Sequence, residues 1–399
     1  MSWHIVKLGE IAEFSNGINF DKNSYMHGIP LIGVSNFGDR FYPSYSELEE
    51  VKEEIVREKD YLHDEDIVFV RSNGNKELVG RCMLVKNPPS KITFSGFCIR
   101  CRFTNKLQYS PTFMTYYFKS TGFRRSMSGT AVGANIQNLS QGRLSSHVAR
   151  LPDYLTQCRI AKVLSAYDDL IEINQRQIKL LEEAAQRLYK EWFVDLRYPG
   201  HENVPVVDGV PEGWQYGELG DISRESGKKE KKENRGQYKY YLPIDCLPQQ
   251  SLAYLNMNEI SLAESSLVGF DKNDILFGAM RPYFHKVVVA RDKGMTRSTC
   301  FVLNSRNNAY WSYLLMLLFS KDTIEYATTI SVGTTMPYVR WKDFLHMPTL
   351  IPDDKIAEQF NNIIIPIVEN INRLTTSCIL LAESRDRLLP KLMSGEIAV

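Results

Sequence analysis

Between residues 167 and 192 the apolar positions are Tyr167, Ile171, Ile178, Leu181, Ala185, Leu188 and Trp192, with Asn174 filling the remaining place in the series. The steps alternate 4, 3, 4, 3, 4, 3, 4, which is the heptad seam of an amphipathic helix. The same steps return at Ile367, Ile371, Leu374, Cys378, Leu381, Arg385, Leu388 and Leu392. Two helices with matching seams in one chain are expected to pack together, each buried aliphatic side chain contributing about 1.5–3 kcal/mol. An antiparallel pairing with Leu181 facing Ile371 sets Asn174 opposite Cys378, and Arg385 opposite Tyr167 beside Asp168. Polar residues at such seam positions set register and pairing.

Outside the seams the pattern changes to short strand-like runs. Asp66 to Val70, Arg81 to Val85 and Phe94 to Phe103 precede a helical Pro111 to Tyr117. The order repeats as Asp274 to Phe277, Lys286 to Ala290, Thr299 to Asn304 and a helical Ala309 to Phe319. Asp353 and Asp354 suit a helix start. Pro366 is expected to separate Lys355 to Ile365 as a short helix, or to kink the helix there. Tyr198-Pro199-Gly200 stops the first helix, and residues 200–213 form a Pro/Gly-rich linker.

The halves also share residue identities. A shift of 200 takes Gly133 to Gly333, Pro152 to Pro352, Asp153 to Asp353, Leu181 to Leu381, Glu183 to Glu383, Arg187 to Arg387 and Leu188 to Leu388. A shift of 211 takes Trp3, Leu8, Gly9 and Ile11 to Trp214, Leu219, Gly220 and Ile222. A repeat this long implies two copies of one domain, not a solenoid. The expected fold is therefore α/β (α+β): mixed units over residues 1–150 and 200–350, with helical regions over 151–199 and 351–399. Because Trp3 corresponds to Trp214, residues 1–12 are expected to follow the second helix in space, a circular pseudo-two-fold.

Length and composition agree with this picture. A chain of 399 residues has room for about two domains, and 43% hydrophobic with 24% charged residues is ordinary globular composition. No apolar run of bilayer length and no signal-peptide pattern is seen, so the expected location is cytoplasmic, with no membrane. Seven scattered cysteines read as reduced, buried thiols; the pair Cys98 and Cys101 has no second pair or nearby histidine to complete a zinc set. The net charge of +1 leaves room for a local basic face. Asn87-Pro88-Pro89-Ser90 resembles an amino-methyltransferase loop, but serine replaces the aromatic that would stack on the target base, and a turn is the better reading. There is no phosphate-loop motif for an ATP-driven motor. Pro152-Asp153 and Pro352-Asp353 stand at equivalent helix starts, which favours capping over a nuclease role.

Together these residues point to a family. Leu151-Pro152 with Gln157, Ile160 and Ala161, Asp168 to Ile171, Leu181-Glu182-Glu183, Trp192-Phe193, Pro211 to Trp214 and Leu219-Gly220-Asp221 occur in an order that resembles the specificity subunits of type I restriction-modification enzymes. The closing stretch from Arg385 to Ile397 looks like the signature that ends them. The resemblance covers essentially the whole chain. It implies a non-catalytic protein in which two target-recognition domains each read one half of a split double-stranded DNA site. The helices, as an antiparallel coiled coil, would separate the domains and dock two adenine-N6 methyltransferase subunits, which endonuclease/translocase subunits join. S-adenosylmethionine, ATP and Mg are then expected on those partners, and no cofactor or metal on this chain. A helix of about 27 residues is roughly 40 Å long, so the half-sites are expected about one DNA turn apart.

DNA contacts are expected from polar and basic loops, cations neutralising phosphate and Arg, Asn or Gln reading base edges. The candidates in the first domain are Arg71, Asn73, Asn75 and Lys76, then Asn135, Gln137 and Asn138. In the second they are Lys228, Lys229, Lys231, Lys232 and Arg235, read as a flexible phosphate-grasping loop. Arg281, Tyr283 and His285 follow, with Thr334, Thr335 and Tyr338. Two other readings are an adenine methyltransferase acting through residues 87–90 and a coiled-coil scaffold that binds only protein.

Overall fold

The computed structural model describes residues 3–38, 40–72, 78–128 and 138–399. Two compact units result: residues 1–170 with 381–399, and residues 171–380. Each takes part of both long helices, so the division between the units falls inside the helices.

In the first unit, strand Trp3–Lys7 pairs antiparallel with Val148–Pro152. A four-stranded antiparallel sheet runs in the order Ala12–Asn16, Cys98–Phe103, Ile67–Val70, Cys82–Leu84. A second sheet joins Glu49–Val51, Tyr25–Ile32 and Thr93–Phe94. Helix Pro111–Lys119 starts with proline in its first turn and Ser110 accepting the Phe113 amide, and packs against the Cys82–Leu84 strand. The run expected from Phe94 to Phe103 is in fact split by a turn, its two ends serving different sheets. Gly96 permits this: its amide bonds the Ile18 carbonyl at 2.6 Å, and a Cβ there would lie 2.2 Å from Asn19 Oδ1. Cys98 and Cys101 are fully buried in that strand. Three residues apart, they face opposite sides of the sheet and join different apolar clusters, so they cannot share a metal. Burial pushes the Cys98 thiol up to about 12. Asn87 takes a positive φ of 48° in an exposed turn between strands and donates its amide to Asp64, in keeping with the turn reading.

The second unit repeats the plan. Gln215–Glu218 pairs with Pro348–Ile351; the main sheet runs Ser223–Glu225, Cys300–Ser305, Ile275–Gly278, Val287–Val289. Its second sheet runs Lys228–Glu230, Leu267–Phe270, Gly294–Arg297, Tyr240–Tyr241. Helix Trp311–Leu318 is buried almost throughout.

The first long helix spans Tyr154–Tyr189, followed by a π turn at Lys190–Val194. Asp153 caps its start, accepting the Thr156 amide and hydroxyl at 2.9 and 3.0 Å. The second long helix, Asp354–Ser394, is uninterrupted, which corrects the expected separate segment before Pro366. Pro366 and Asn362, whose carbonyl would have accepted the missing amide, are both exposed, so that carbonyl is open to hydration and the loss of one bond is tolerated. One stretch of this helix reaches a mean hydropathy of 1.2, but Phe360, Ile364, Val368 and Ile371 are buried in the core of the second unit.

In each unit the two helices run antiparallel and share a polar contact. In the first, Arg385 bonds Asp168, and the Tyr116 hydroxyl donates to the same carboxylate; Tyr42 donates to neighbouring Asp169 at 3.0 Å. In the second, Asn174 donates to Ser377 Oγ at 3.2 Å, and the Cys378 thiol to the Ile171 carbonyl at 3.8 Å. Trp192 meets Phe360, with ring centroids 5.5 Å apart. The seam residues Tyr167, Ile171, Ile178, Leu181, Leu188, Ile367, Ile371, Leu374, Leu381 and Leu388 are all buried or half-buried. Buried Glu182 holds the second unit's mixed portion to its helix, accepting the Ser251 hydroxyl at 2.8 Å and the Leu252 amide at 2.7 Å. The repeat extends to the helix ends. Gly395 closes the second helix at φ +79° against the Trp3 ring, and Trp214 packs on Tyr198 and Phe193 after the first.

Candidate nucleic-acid interface

The same three-way junction is built in each unit from different side chains. In the first, the loop leaving strand Ile67–Val70 meets the turn before strand Cys98–Phe103 and the segment before helix Gln141–Ser146. The Arg71 and Ser72 amides donate to the Phe97 carbonyl at 2.8 and 3.3 Å, and the Leu139 amide to the Arg71 carbonyl at 2.8 Å. Ser72 and Asn138 form a bridge. In the second, the Ala279 amide donates to Thr299 and the Val339 amide to Ala279, both at 2.9 Å, and Met280 bridges Tyr338. Leu139 and Val339 are buried anchors at equivalent positions of the repeat. Backbone bonding thus fixes one cradle twice, while its exposed side chains differ.

The first cradle displays Arg71, half-buried with its guanidinium on the Gly96 carbonyl at 3.1 Å, and exposed Asn138. Phe97 stands out beside them, 63% exposed. Asn73, Asn75, Lys76, Asn135 and Gln137 lie outside the described residues.

In the second cradle Arg281 adopts a left-handed conformation, φ +52°, donates its amide to Pro337 at 2.7 Å and its guanidinium to the Thr335 carbonyl at 3.3 Å. Tyr283, Thr334 and Thr335 are exposed; Tyr338 is half-buried, its hydroxyl on the Ser298 carbonyl at 3.2 Å. Burial raises that phenol's pKa. His285 corrects an expectation. It is 7% exposed with Nε2 at 3.0 Å from the Phe319 carbonyl, and burial, the largest influence, lowers its pKa. It supports the turn from beneath.

The lysine run also differs from expectation. Lys228 and Lys229 belong to the edge strand Lys228–Glu230, not to a flexible loop, and both are exposed, as are Lys231 and Lys232. Lys232 comes within 4.0 Å of Glu264. Arg235 donates to the Ser261 carbonyl at 2.8 Å and to Glu264 at 3.1 Å, so it staples this segment to the fold. Arg297, which loop composition did not single out, ends strand Gly294–Arg297 in the same sheet as Lys228 and Lys229. It is exposed and immediately precedes Ser298, which holds Tyr338. In the sheet register Arg297 lies two strands from Glu230, the last residue of the lysine-bearing edge strand. The only hint in sequence was a polar Arg297-Ser298-Thr299 interruption between apolar strands. Among the described residues, no cluster of His, Cys, Asp and Glu could hold a metal ion.

Comparison with known proteins agrees with this duplicated arrangement. A family model described as type I restriction modification DNA specificity domain matches residues 1–183 and again 211–378. The chain is 24% identical to the type I restriction enzyme MjaIX specificity subunit of Methanocaldococcus jannaschii, over 100% of this chain and 94% of that one. It is 26% identical to the EcoKI specificity subunit of Escherichia coli over 46% of this chain and 40% of that one. Its fold resembles the crystal structure of the type I restriction-modification S subunit from M. genitalium, with TM-score 0.58, 15% identity and 98% and 96% of the two chains covered. With two matched copies of the family domain, and a cradle repeated in each, the chain belongs to the type I restriction-modification DNA specificity family.

Proposed function

We propose that this protein is the sequence-reading subunit of a type I restriction-modification complex, recognising a split, asymmetric duplex DNA site with one cradle per half-site. The observation that carries the reading is the cradle itself: two matching backbone bonds and a matching bridge made in each copy, with Arg71, Phe97 and Asn138 in one and Arg281, Tyr283, Thr334 and Thr335 in the other. A shared geometry with unlike side chains suits two different base sequences. The exposed Lys228, Lys229 and Arg297 supply phosphate contacts that set register without reading sequence. The two long helices dock two adenine-N6 methyltransferase subunits, which endonuclease/translocase subunits join; S-adenosylmethionine, ATP and Mg act on those partners, while this chain contributes recognition.

The test is to express the chain with its methyltransferase partner and map methylated adenines across the host genome. Exchanging residues 13–150 for those of another specificity subunit is expected to change one half of the methylated sequence and leave the other intact. A change in both halves, or in neither, refutes the one-cradle-per-half-site reading.

A further inference from the structure

The exposed tip of the second cradle has a chemistry of its own. A hairpin is closed by Val332 and Tyr338, each donating its amide to the other's carbonyl, at 3.0 and 2.9 Å. Gly333 turns the chain at φ +101°, leaving Thr334, Thr335 and Met336 at the tip. Met336 is 60% exposed and Val332 47%. The neighbouring turn, with Arg281 and His285 both in left-handed conformations, presents Tyr283 at 50% exposure. Strained non-glycine backbone on both sides of a turn fixes where its side chains point.

None of these displayed side chains carries an amide, carboxylate or ammonium. Arg281 is the cation within the tip; its Nη2 donates to the Thr335 carbonyl at 3.3 Å and its Nε is buried. It therefore positions the hairpin. What remains exposed is methyl, thioether, hydroxyl and ring. Of the groups offered by base pairs in the major groove, the thymine C5-methyl is the apolar one, and threonine methyls and other apolar side chains are its partners. Bidentate reading of guanine or adenine requires Arg, Lys, Asn or Gln; the one such side chain in the tip, Arg281, has its Nε buried and its Nη2 on the Thr335 carbonyl. We infer that Thr334, Thr335 and Met336, with Tyr283 beside them, recognise thymine methyl groups in the half-site read by the second unit. That half-site then contains at least one A·T pair identified by its methyl. The inference rests on the proposed DNA reading and adds the chemical group that is read.

The experiment uses the assembled complex of this chain with its methyltransferase partner and a duplex carrying the mapped site. Each thymine in turn is replaced by deoxyuridine, which deletes the C5-methyl alone, and affinity is measured by fluorescence anisotropy at fixed salt. At one or more thymines of the second unit's half-site, affinity is expected to fall about fourfold, the equivalent of one buried methyl group. The Thr334→Ser/Thr335→Ser/Met336→Ala variant, which trims only exposed groups, is expected to lose that sensitivity. It should keep its response to substitutions in the other half-site. Specific binding with every deoxyuridine duplex within twofold of the parent overturns the thymine-methyl inference and leaves the DNA reading standing. So does a half-site without thymine on either strand. Absence of any specific duplex binding by the wild-type complex overturns both.

Discussion

Replacing Arg385 with methionine preserves side-chain length but removes the cation from a pair whose side chains are only 14% and 4% exposed. Asp168 would keep the Tyr116 hydroxyl as donor, yet its charge would face no cation in the interior. Leaving one member of a buried pair uncompensated costs about 3–5 kcal/mol. Because the Tyr116 bond survives, the lower end applies, about 3 kcal/mol. A unit of this size loses about 2–4 °C of melting temperature per kcal/mol, so the transition of the first unit is expected to drop by about 6–12 °C in differential scanning calorimetry. The effect belongs to the pair, and a double-mutant cycle isolates it. Asp168→Asn can still accept from Tyr116 but carries no charge, and in that background Arg385→Met is expected to cost less than about 1 kcal/mol. A single variant melting within about 2 °C of wild type, or equal losses in both backgrounds, would refute the argument that buried charge makes this contact costly to break.

The second unit offers a pH test. Burial, partly offset by hydrogen bonds from Ser251 and Leu252, raises the Glu182 pKa above 4.5. The folded state therefore holds this proton more tightly than the unfolded chain, so Glu182's contribution to stability is fully present below pH 4.5 and is lost as pH rises through the folded pKa. Glu182→Gln, which can still accept both bonds, is expected to flatten that decline in melting temperature; an unchanged slope would show that Glu182 is not its source. Glu182→Ala should instead cost about 1–3 kcal/mol at neutral pH in denaturant titration by leaving the Leu252 amide unpaired. Lys228→Ala, Lys229→Ala and Arg297→Ala are each expected to lower the slope of log affinity against log salt by about 0.9 for each phosphate the side chain neutralises, without changing the sequence methylated. Arg235→Ala, whose guanidinium is held within the fold, is expected to leave the salt slope unchanged.

Much of the architecture was legible because it is periodic. The alternating steps of 4 and 3 mark which residues of the long helices are buried, and the seam spacing alone places Arg385 beside Asp168, and Asn174 beside Cys378. The strand runs around Ile67, Cys82, Cys98, Ile275, Val287 and Cys300 could be read from apolar clustering, and the duplication from residue identities. The separate short helix expected before Pro366 did not form, because proline's local penalty depends on whether its face of the helix is open to water, which spacing does not show. His285 and Arg235 misled because polar composition does not reveal whether a side chain turns outward or is consumed by a carbonyl within the fold.

The sequence by itself determined the two long helices, their register and the twofold repetition of a mixed α/β unit, since burial on one face leaves a period that neighbouring residues record. Only the tertiary structure decided the cradles. Arg71, Phe97 and Leu139, like Ala279, Thr299 and Val339, are joined by single backbone hydrogen bonds across dozens of residues. Such bonds use the amide and carbonyl that nearly every residue possesses, and so leave no mark in the pattern of side chains.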